Sequence, residues 1–525
     1  MRAHLTGVAA AILLTVPGAT AQTPPPPPAP TLSNPTLAAI WGEGMDRSRV
    51  AALAQVLLDS LGPRLTGTPQ SKAASDWVVG TYRSWGIDAR AEQYGTWRGW
   101  RRGITHLDLV APRVRSLEAT MLGYSPGTSG PLTGQVVLIP HLIGPAALTA
   151  FLPTVRGKFV MLTAPESSCR PSSSWEEWAD STSLARRKVI ADSTRADWVD
   201  RARSTGATTV LEVAKMLEDA GAAGVLSSYW SQGWGVDKVF QASTETIPQV
   251  QLSCEDYGLI WRLAANGQGP VVRLEAEAEL LGDVPVANTI GMIRGREKPD
   301  EYVMLSAHFD SWDGGSGATD NGTGTVMMME VMRILKQVYP NPKRTILVGH
   351  WNGEEQGLNG SSAFAADHPE ILARLQVLLN QDDGTGGIDR LTMEGRVGPG
   401  PYFKKWMDQI PQELDGKVTL VDPGTPGRGG TENFSFVCNG APGFGLNSAG
   451  WDYGTYTWHT NRDTYDKIGF EELRRNATLA AMLAYLASEE PEKIPLAKRD
   501  LPMDNRSDQP GTWPVCGTPD RSFVR

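Results

Sequence analysis

Cysteine is scarce in this 525-residue chain: Cys169, Cys254, Cys438 and Cys516 are the only four. None is spaced as a thiolate metal ligand, so they read as structural. Long apolar runs are scarcer still. Only Leu5 to Val16 exceeds strand length, too short to span a bilayer, and no second long run follows, which argues against a membrane protein. Basic excess is also lacking, with 49 Lys and Arg against 58 Asp and Glu, a net charge of −9. A nucleic-acid partner is therefore not expected, and WRGWRRG at 97–103 reads as a surface loop despite its arginines.

The one apolar run has a different meaning. Arg2 and His4 precede it and Ala19-Thr20-Ala21 follows, the pattern of a secretory signal cleaved after Ala21. No cysteine stands at that point, so a lipid anchor is not expected. The chain is read as exported, periplasmic or extracellular, and residues 22–31 as a Pro-rich spacer. Four cysteines in an exported chain allow three disulfide pairings, which sequence alone does not separate. Cys169 with Cys254 and Cys438 with Cys516 is the preferred set.

Of seven histidines, two keep notable company. His308 and Asp310 follow the apolar run Tyr302 to Ala307. Asp320 lies in the Gly-rich loop beyond, ahead of a Met-rich helical stretch, Thr323 to Val338, ended by Pro340 and Pro342. A second apolar run, Arg344 to Trp351, leads to Glu354 and Glu355. A third, Arg374 to Leu379, leads to Asp382, and His459 comes last. Strand, helix, strand, helix, strand predicts an α/β fold: a mostly parallel mixed sheet with helices on both faces. Ligands collect at the carboxyl ends of such strands.

The residue types point to metal chemistry. Two Zn²⁺ ions would be nearly neutralised by Asp320, Glu355, Asp382 and a hydroxide, with His308 and His459 as nitrogen ligands. Asp310 is placed to orient the His308 imidazole. Glu354, beside a ligand but not needed as one, suits the general base. Singly, H-x-D, E-E and D-N-G more often mark caps, surface and turns. Their joint order at successive strand ends is what those readings leave unexplained. His106, His141 and His368 lack carboxylate or glycine company, and His350 sits inside a strand, so these four read as structural.

HFDSWDGGSGATDNGTG, NGEEQGLNGS, NQDDGTG, GGTENFSFVCNGAPGFGL and WHTNRDT resemble the motif series of the bimetallic zinc aminopeptidase and glutamate carboxypeptidase family, nearest its carboxypeptidase Q branch. The likeness implies a dizinc hydrolase with His308, Asp320 and Asp382 on one ion, and Asp320, Glu355 and His459 on the other. It also implies a cis Asp320–Asn321 peptide. Residues 125–275 would be a β-rich protease-associated insert walling the cleft, between peptidase parts 32–124 and 276–490, with 491–525 a loosely docked extension. Leu37 to Gln93 reads as two helices joined by LGPRLTGTP, residues that pack. Trp458 stands where some relatives carry a tyrosine, leaving Tyr453 or Tyr456 for the oxyanion. Arg428 and Glu432, with Tyr456, are the substrate-binding candidates, gripping the two ends of a short peptide.

The expected activity is exopeptidase action on dipeptides and short peptides, of aminopeptidase or dipeptidase type. A carboxypeptidase, an inactive receptor-like relative and a single-zinc glutaminyl-cyclase-like relative are the alternatives. A homodimer is the one protein partner envisaged.

Overall fold

The computed structural model describes residues 30–504 and 509–523. The signal segment and nearly all of the Pro-rich spacer lie outside these.

One mixed sheet runs through the molecule. Its strands around the candidate site are β1 (Asp88–Ala111), β2 (Val271–Ile293), β3 (Lys298–His308), β4 (Arg344–Trp351), β5 (Leu375–Asn380), β6 (Ile388–Thr392), β7 (Thr419–Val421) and β8 (Gly443–Ser448). The order is β7-β6-β8-β5-β3-β4-β2, with β1 along β2. The central run β8-β5-β3-β4 is parallel, while β2 joins β4 antiparallel. The expected mixed α/β sheet is the one observed.

Burial explains the apolar middles of β3, β4 and β5. Val303, Leu305, Ile346, Val348, Val377 and Leu379 point into one core with the Thr323–Val338 and Phe470–Glu489 helices. Met304, Leu347 and Leu378, alternating with them, enter a second core with Phe364 and Phe436 from the opposite face. Successive side chains on a strand face opposite ways, so a sheet covered twice needs apolar residues at both parities. Parallel strands also bring their carboxyl ends to one edge. His308, Glu354, Glu355 and Asp382 follow from that edge.

Residues 125–275 extend the same sheet. Leu132–Leu138 pairs with the start of β2, and Phe159–Met161, Gly224–Ser227 and Gln249–Leu252 continue outward in parallel. Ala119–Met121 closes that edge, so the outer part of the sheet begins before residue 125. Three helices of ten residues or more, Ser181–Ser204, Val210–Asp219 and Cys254–Ala265, accompany these short strands. The disulfides are Cys169–Cys254 and Cys438–Cys516, the preferred set.

Four expectations need correction. Residues 97–103 are not a surface loop but the middle of β1, with Trp97 and Trp100 both buried. Three residues apart on a regular strand they would face opposite ways; a register shift between Gly99 and Trp100 turns both into one core. Leu37 to Gln93 holds three main helical stretches, beginning at Pro35, Val50 and Pro69, and the last ends at Ser84; residues from Asp88 onward are strand. His141 and His368 do have carboxylate partners, Asp197 for the first, Glu92 and Glu370 for the second. The C-terminal extension is not loosely docked. Arg396 lies over the Trp513 ring, the Arg521 carbonyl accepts from Thr96 N–H at 2.8 Å, and Phe523 packs edge-on against Trp97.

The tail thus adds an aromatic side chain to the core under β1. Phe523→Ala is expected to lower stability by about 1–3 kcal/mol, somewhat below a fully buried Phe, by urea denaturation. A change within about 0.5 kcal/mol, as for ordinary surface positions, would show the contact to be inert.

Candidate metal centre and active site

At the carboxyl edge, β3 ends on His308 and its Nε2 meets Asp320 Oδ1 at 3.2 Å and Asp382 Oδ1 at 3.0 Å. His459 Nε2 lies 3.2 Å from Asp320 Oδ2 and 2.9 Å from Glu355 Oε2. Asp320 therefore stands between the two imidazoles. His308, Asp320 and Asp382 form one group whose ligand atoms lie within 4.8 Å of one another, and Asp320, Glu355 and His459 a second. All five sequence-selected ligand candidates converge.

The Asp320–Asn321 peptide is cis, as the resemblance implied. Asn321 anchors this turn: its amide donates to the Gln381 carbonyl at 2.9 Å, and its side-chain oxygen accepts from Gly324 N–H at 3.0 Å. Asp463 accepts from the backbone N–H of Thr319 and Asp320 at 2.8 and 3.0 Å. It lies in WHTNRDT, four residues past His459, and sequence reasoning assigned it nothing.

Asp310 departs from its expected part. The His308 ring is held by the Asp310 backbone carbonyl, 3.0 Å from Nδ1, while the carboxylate is 3.9 Å away. That carboxylate instead accepts from Glu354 N–H, Glu355 N–H and the Thr66 hydroxyl. It fixes the E-E turn, not the imidazole. Arg64, in the loop expected only to pack, is fully buried and donates to the carbonyls of Phe309, Ser316 and Gly317. Burial lowers its pKa to about 10, against the pull of Asp463, Asp310, Asp320 and Glu355.

The electrostatics show too many buried carboxylates. Burial, followed by Asp382, Glu432 and Glu355, holds the Glu354 carboxyl well above the usual range, against the pull of His308. Burial and Asp320 push Glu355 up to about 8. Burial and Asp382 push Glu432 up to about 8. At Asp320 burial is overcome by hydrogen bonds from His308 and His459, and the carboxyl falls far below its ordinary value. His459 rises to about 9: burial opposes the rise, but its bonds to Asp320 and Glu355 prevail. Buried Glu355 Oε1 and Glu432 Oε1 have no hydrogen-bond partner. A carboxylate-rich, imidazole-containing donor set with unpartnered oxygens fits divalent cations.

The substrate candidates divide. Glu432 is buried beside the cluster, its Oε2 accepting from the Thr431 hydroxyl at 3.1 Å. Arg428 is not there: it is exposed and donates to the Thr512 carbonyl of the tail. Tyr456 is not there either, its ring lying against Gly233. Tyr453 is the tyrosine beside the carboxylates. Its ring packs on Gly384, two residues past Asp382, where φ is +74° and a side chain would collide with it. Burial, then Asp320 and Asp382, raises its phenol well above the ordinary range.

Residues 288–484 match the profile described as Peptidase family M28. Carboxypeptidase Q of Mus musculus is 26% identical over 458 residues, 87% of this chain and 89% of its own. Among solved structures, a peptidase M28 precursor from Shewanella amazonensis SB2B superposes with TM-score 0.63 at 24% identity, over 89% of this chain and 99% of that one. BSAP, a zinc aminopeptidase from Bacillus subtilis, gives 0.54 at 19% identity, over 85% and 97%. The fold is shared with these structures, and the profile falls on the strands that build the cluster, so residues 288–484 carry a Peptidase family M28 domain.

Proposed function

We propose that the protein is an exported, zinc-dependent exopeptidase acting on short peptides, with two Zn²⁺ per chain. The observation that supports this most is Asp320 shared between two imidazoles, buried His308 and partly buried His459, each with a further carboxylate. His308, Asp320 and Asp382 would hold one ion, and Asp320, Glu355 and His459 the other. When bound, the ions would supply Lewis acidity toward the scissile carbonyl and a water of lowered pKa.

The chain's own residues carry the remaining work. Glu354 accepts the proton of the attacking water and returns it to the leaving amine. Asp310, through both N–H groups of the E-E turn, holds that carboxyl in register. Tyr453 donates to the developing oxyanion. Glu432 Oε1, buried and unpartnered, receives the substrate α-ammonium. We assign residues 125–275 as a protease-associated-like insert bordering the cleft. Export agrees with two disulfides, and no described helix is long and apolar enough to cross a membrane.

A carboxypeptidase reading is favoured by one observation. A cavity of about 430 Å³ beside Thr431 is lined by Arg390, Arg499, Asn433 and Asn447. Asn447 is bonded to Asp383, the neighbour of Asp382. A terminal carboxylate there would meet arginine, as Arg428 was expected to provide.

Glu354→Gln is expected to keep both zincs and lose about 10²–10⁴ in kcat; wild-type turnover would remove Glu354 from the mechanism. A free dipeptide, its N-acetyl form and its C-amide separate the two readings. Loss on acetylation alone supports aminopeptidase action through Glu432, loss on amidation alone the carboxypeptidase, and no loss with either block refutes terminal recognition. Zinc uptake should also depend on pH. Glu355 near 8 and His459 near 9 must give up protons to bind, so affinity should rise from about pH 6 to pH 9 with protons released. Proton release followed in a pH-stat checks this, and uptake without release would contradict the ligand assignment.

A further inference from the structure

The two imidazoles of the centre are oriented by different physics. His308 has its Nδ1 against the Asp310 carbonyl, the usual arrangement for a ligating histidine. Nδ1 of His459 is buried and has no hydrogen-bond partner. Its backbone φ is +52°, left-handed space that a non-glycine residue occupies only when its surroundings enforce it. Something other than a hydrogen bond to Nδ1 must orient this ring on the side away from Asp320 and Glu355.

What holds it is aromatic packing and a backbone splint from outside the peptidase part. The Trp458 ring stacks on His459 at 4.0 Å, and Phe240 and Trp312 meet it edge-on at 5.3 and 6.1 Å. Phe240 comes from the insert, and so does the splint. Val239 N–H donates to the His459 carbonyl at 2.7 Å. Lys238 Nζ donates to the Trp458 and Gly454 carbonyls at 2.5 and 2.8 Å, and sits 4.5 Å over the Trp458 ring. Asp237 exchanges two bonds with Asn461, and the Ser231 hydroxyl reaches the Thr455 carbonyl. The contacts fall between Gly454 and Asn461, on both sides of His459.

We propose that residues 231–240 of the insert are a positioning element for His459, and so set the metal affinity of the Asp320–Glu355–His459 group from outside the peptidase part. The inference rests on the dizinc reading above. Phe240 packs on the imidazole ring and Lys238 holds the backbone ahead of it; they act through the angle of the imidazole and the path of its backbone. The insert then does more than border a cleft. Its docking and the completeness of one metal group are the same event.

The test is zinc per chain and zinc affinity by chelator competition, with kcat and KM, for Phe240→Ala, Phe240→Tyr and Lys238→Met. Phe240→Ala is expected to weaken one of two zincs about 10–100-fold, as outer-shell losses do, with kcat falling and KM little moved. Phe240→Tyr, which keeps the ring, should restore both. Lys238→Met removes the ammonium's share of the splint without removing an aromatic ring and should weaken the same site, which keeps the proposal testable if Phe240→Ala does not fold. Wild-type affinity at both sites in folded Phe240→Ala or Lys238→Met would overturn it. So would a rise in KM with zinc unchanged, which would make the segment a substrate wall. A wild-type chain taking up fewer than two zincs would instead overturn the dizinc reading.

Discussion

The structure is organised around an electrostatic imbalance. Asp310, Asp320, Glu355, Asp382, Glu432 and Asp463 are all deep in the protein, with Glu354 among them, against His308, His459 and one buried guanidinium, Arg64. Unpaired charge at such depth costs several kcal/mol per ion, so the protein must protonate these groups or neutralise them. The raised carboxyls of Glu354, Glu355 and Glu432 are the first response. Bound cations would be the second, and the two ligand groups around Asp320 are arranged to take them.

Holding these groups together is the sheet's task. Parallel β3, β4 and β5 end at the same edge, so residues about 46 and 74 positions apart in the chain, His308 to Glu354 and to Asp382, meet without a long loop between them. The helix between β3 and β4 closes the floor. Thr325 reaches the His308 carbonyl and Thr323 the Gly384 carbonyl, each at 2.8 Å. Backbone hydrogen bonds to Asp310, Asp463 and Arg64 then fix the loops, so the carboxylates cannot swing apart to relieve their repulsion.

How legible this was in the sequence depended on range. Apolar runs bounded by glycine or polar loops marked β3, β4 and β5, and the bounds of β4 and of the Thr323–Val338 helix were read to the residue. The five clustered ligand candidates followed because their positions are set by strand ends, a local feature. Tyr456 and Arg428 failed because nothing local decides which way a loop side chain turns. Tyr453 points inward because Gly384 leaves room for its ring, and Arg428 turns outward to a carbonyl 84 residues on. Trp97 and Trp100 were hidden by a register shift, and Arg64 by lying in a loop whose partners are backbone carbonyls with no sequence signature. Asp463 shows the same limit: its acceptors' donors are N–H groups, which every residue has.

The remaining organisation concerns the join between the two parts of the chain. β1 and β2, 24 and 23 residues long, run through both, so the outer strands and the peptidase strands share one sheet and cannot rotate freely about a linker. At the site the join is made again by contacts from Ser231, Asp237, Lys238, Val239 and Phe240 to the His459 segment. The tail adds a third tie, fixed by Cys516 to Cys438 before Arg521 and Phe523 reach β1, where Phe523 packs against a core shared with Phe159, Leu226 and Leu252 of the outer strands. A single attachment would leave the mouth of the site free to breathe about a hinge. Three attachments at separate places remove that freedom, and geometry at His459 becomes a property of the whole chain and not of the peptidase motifs alone.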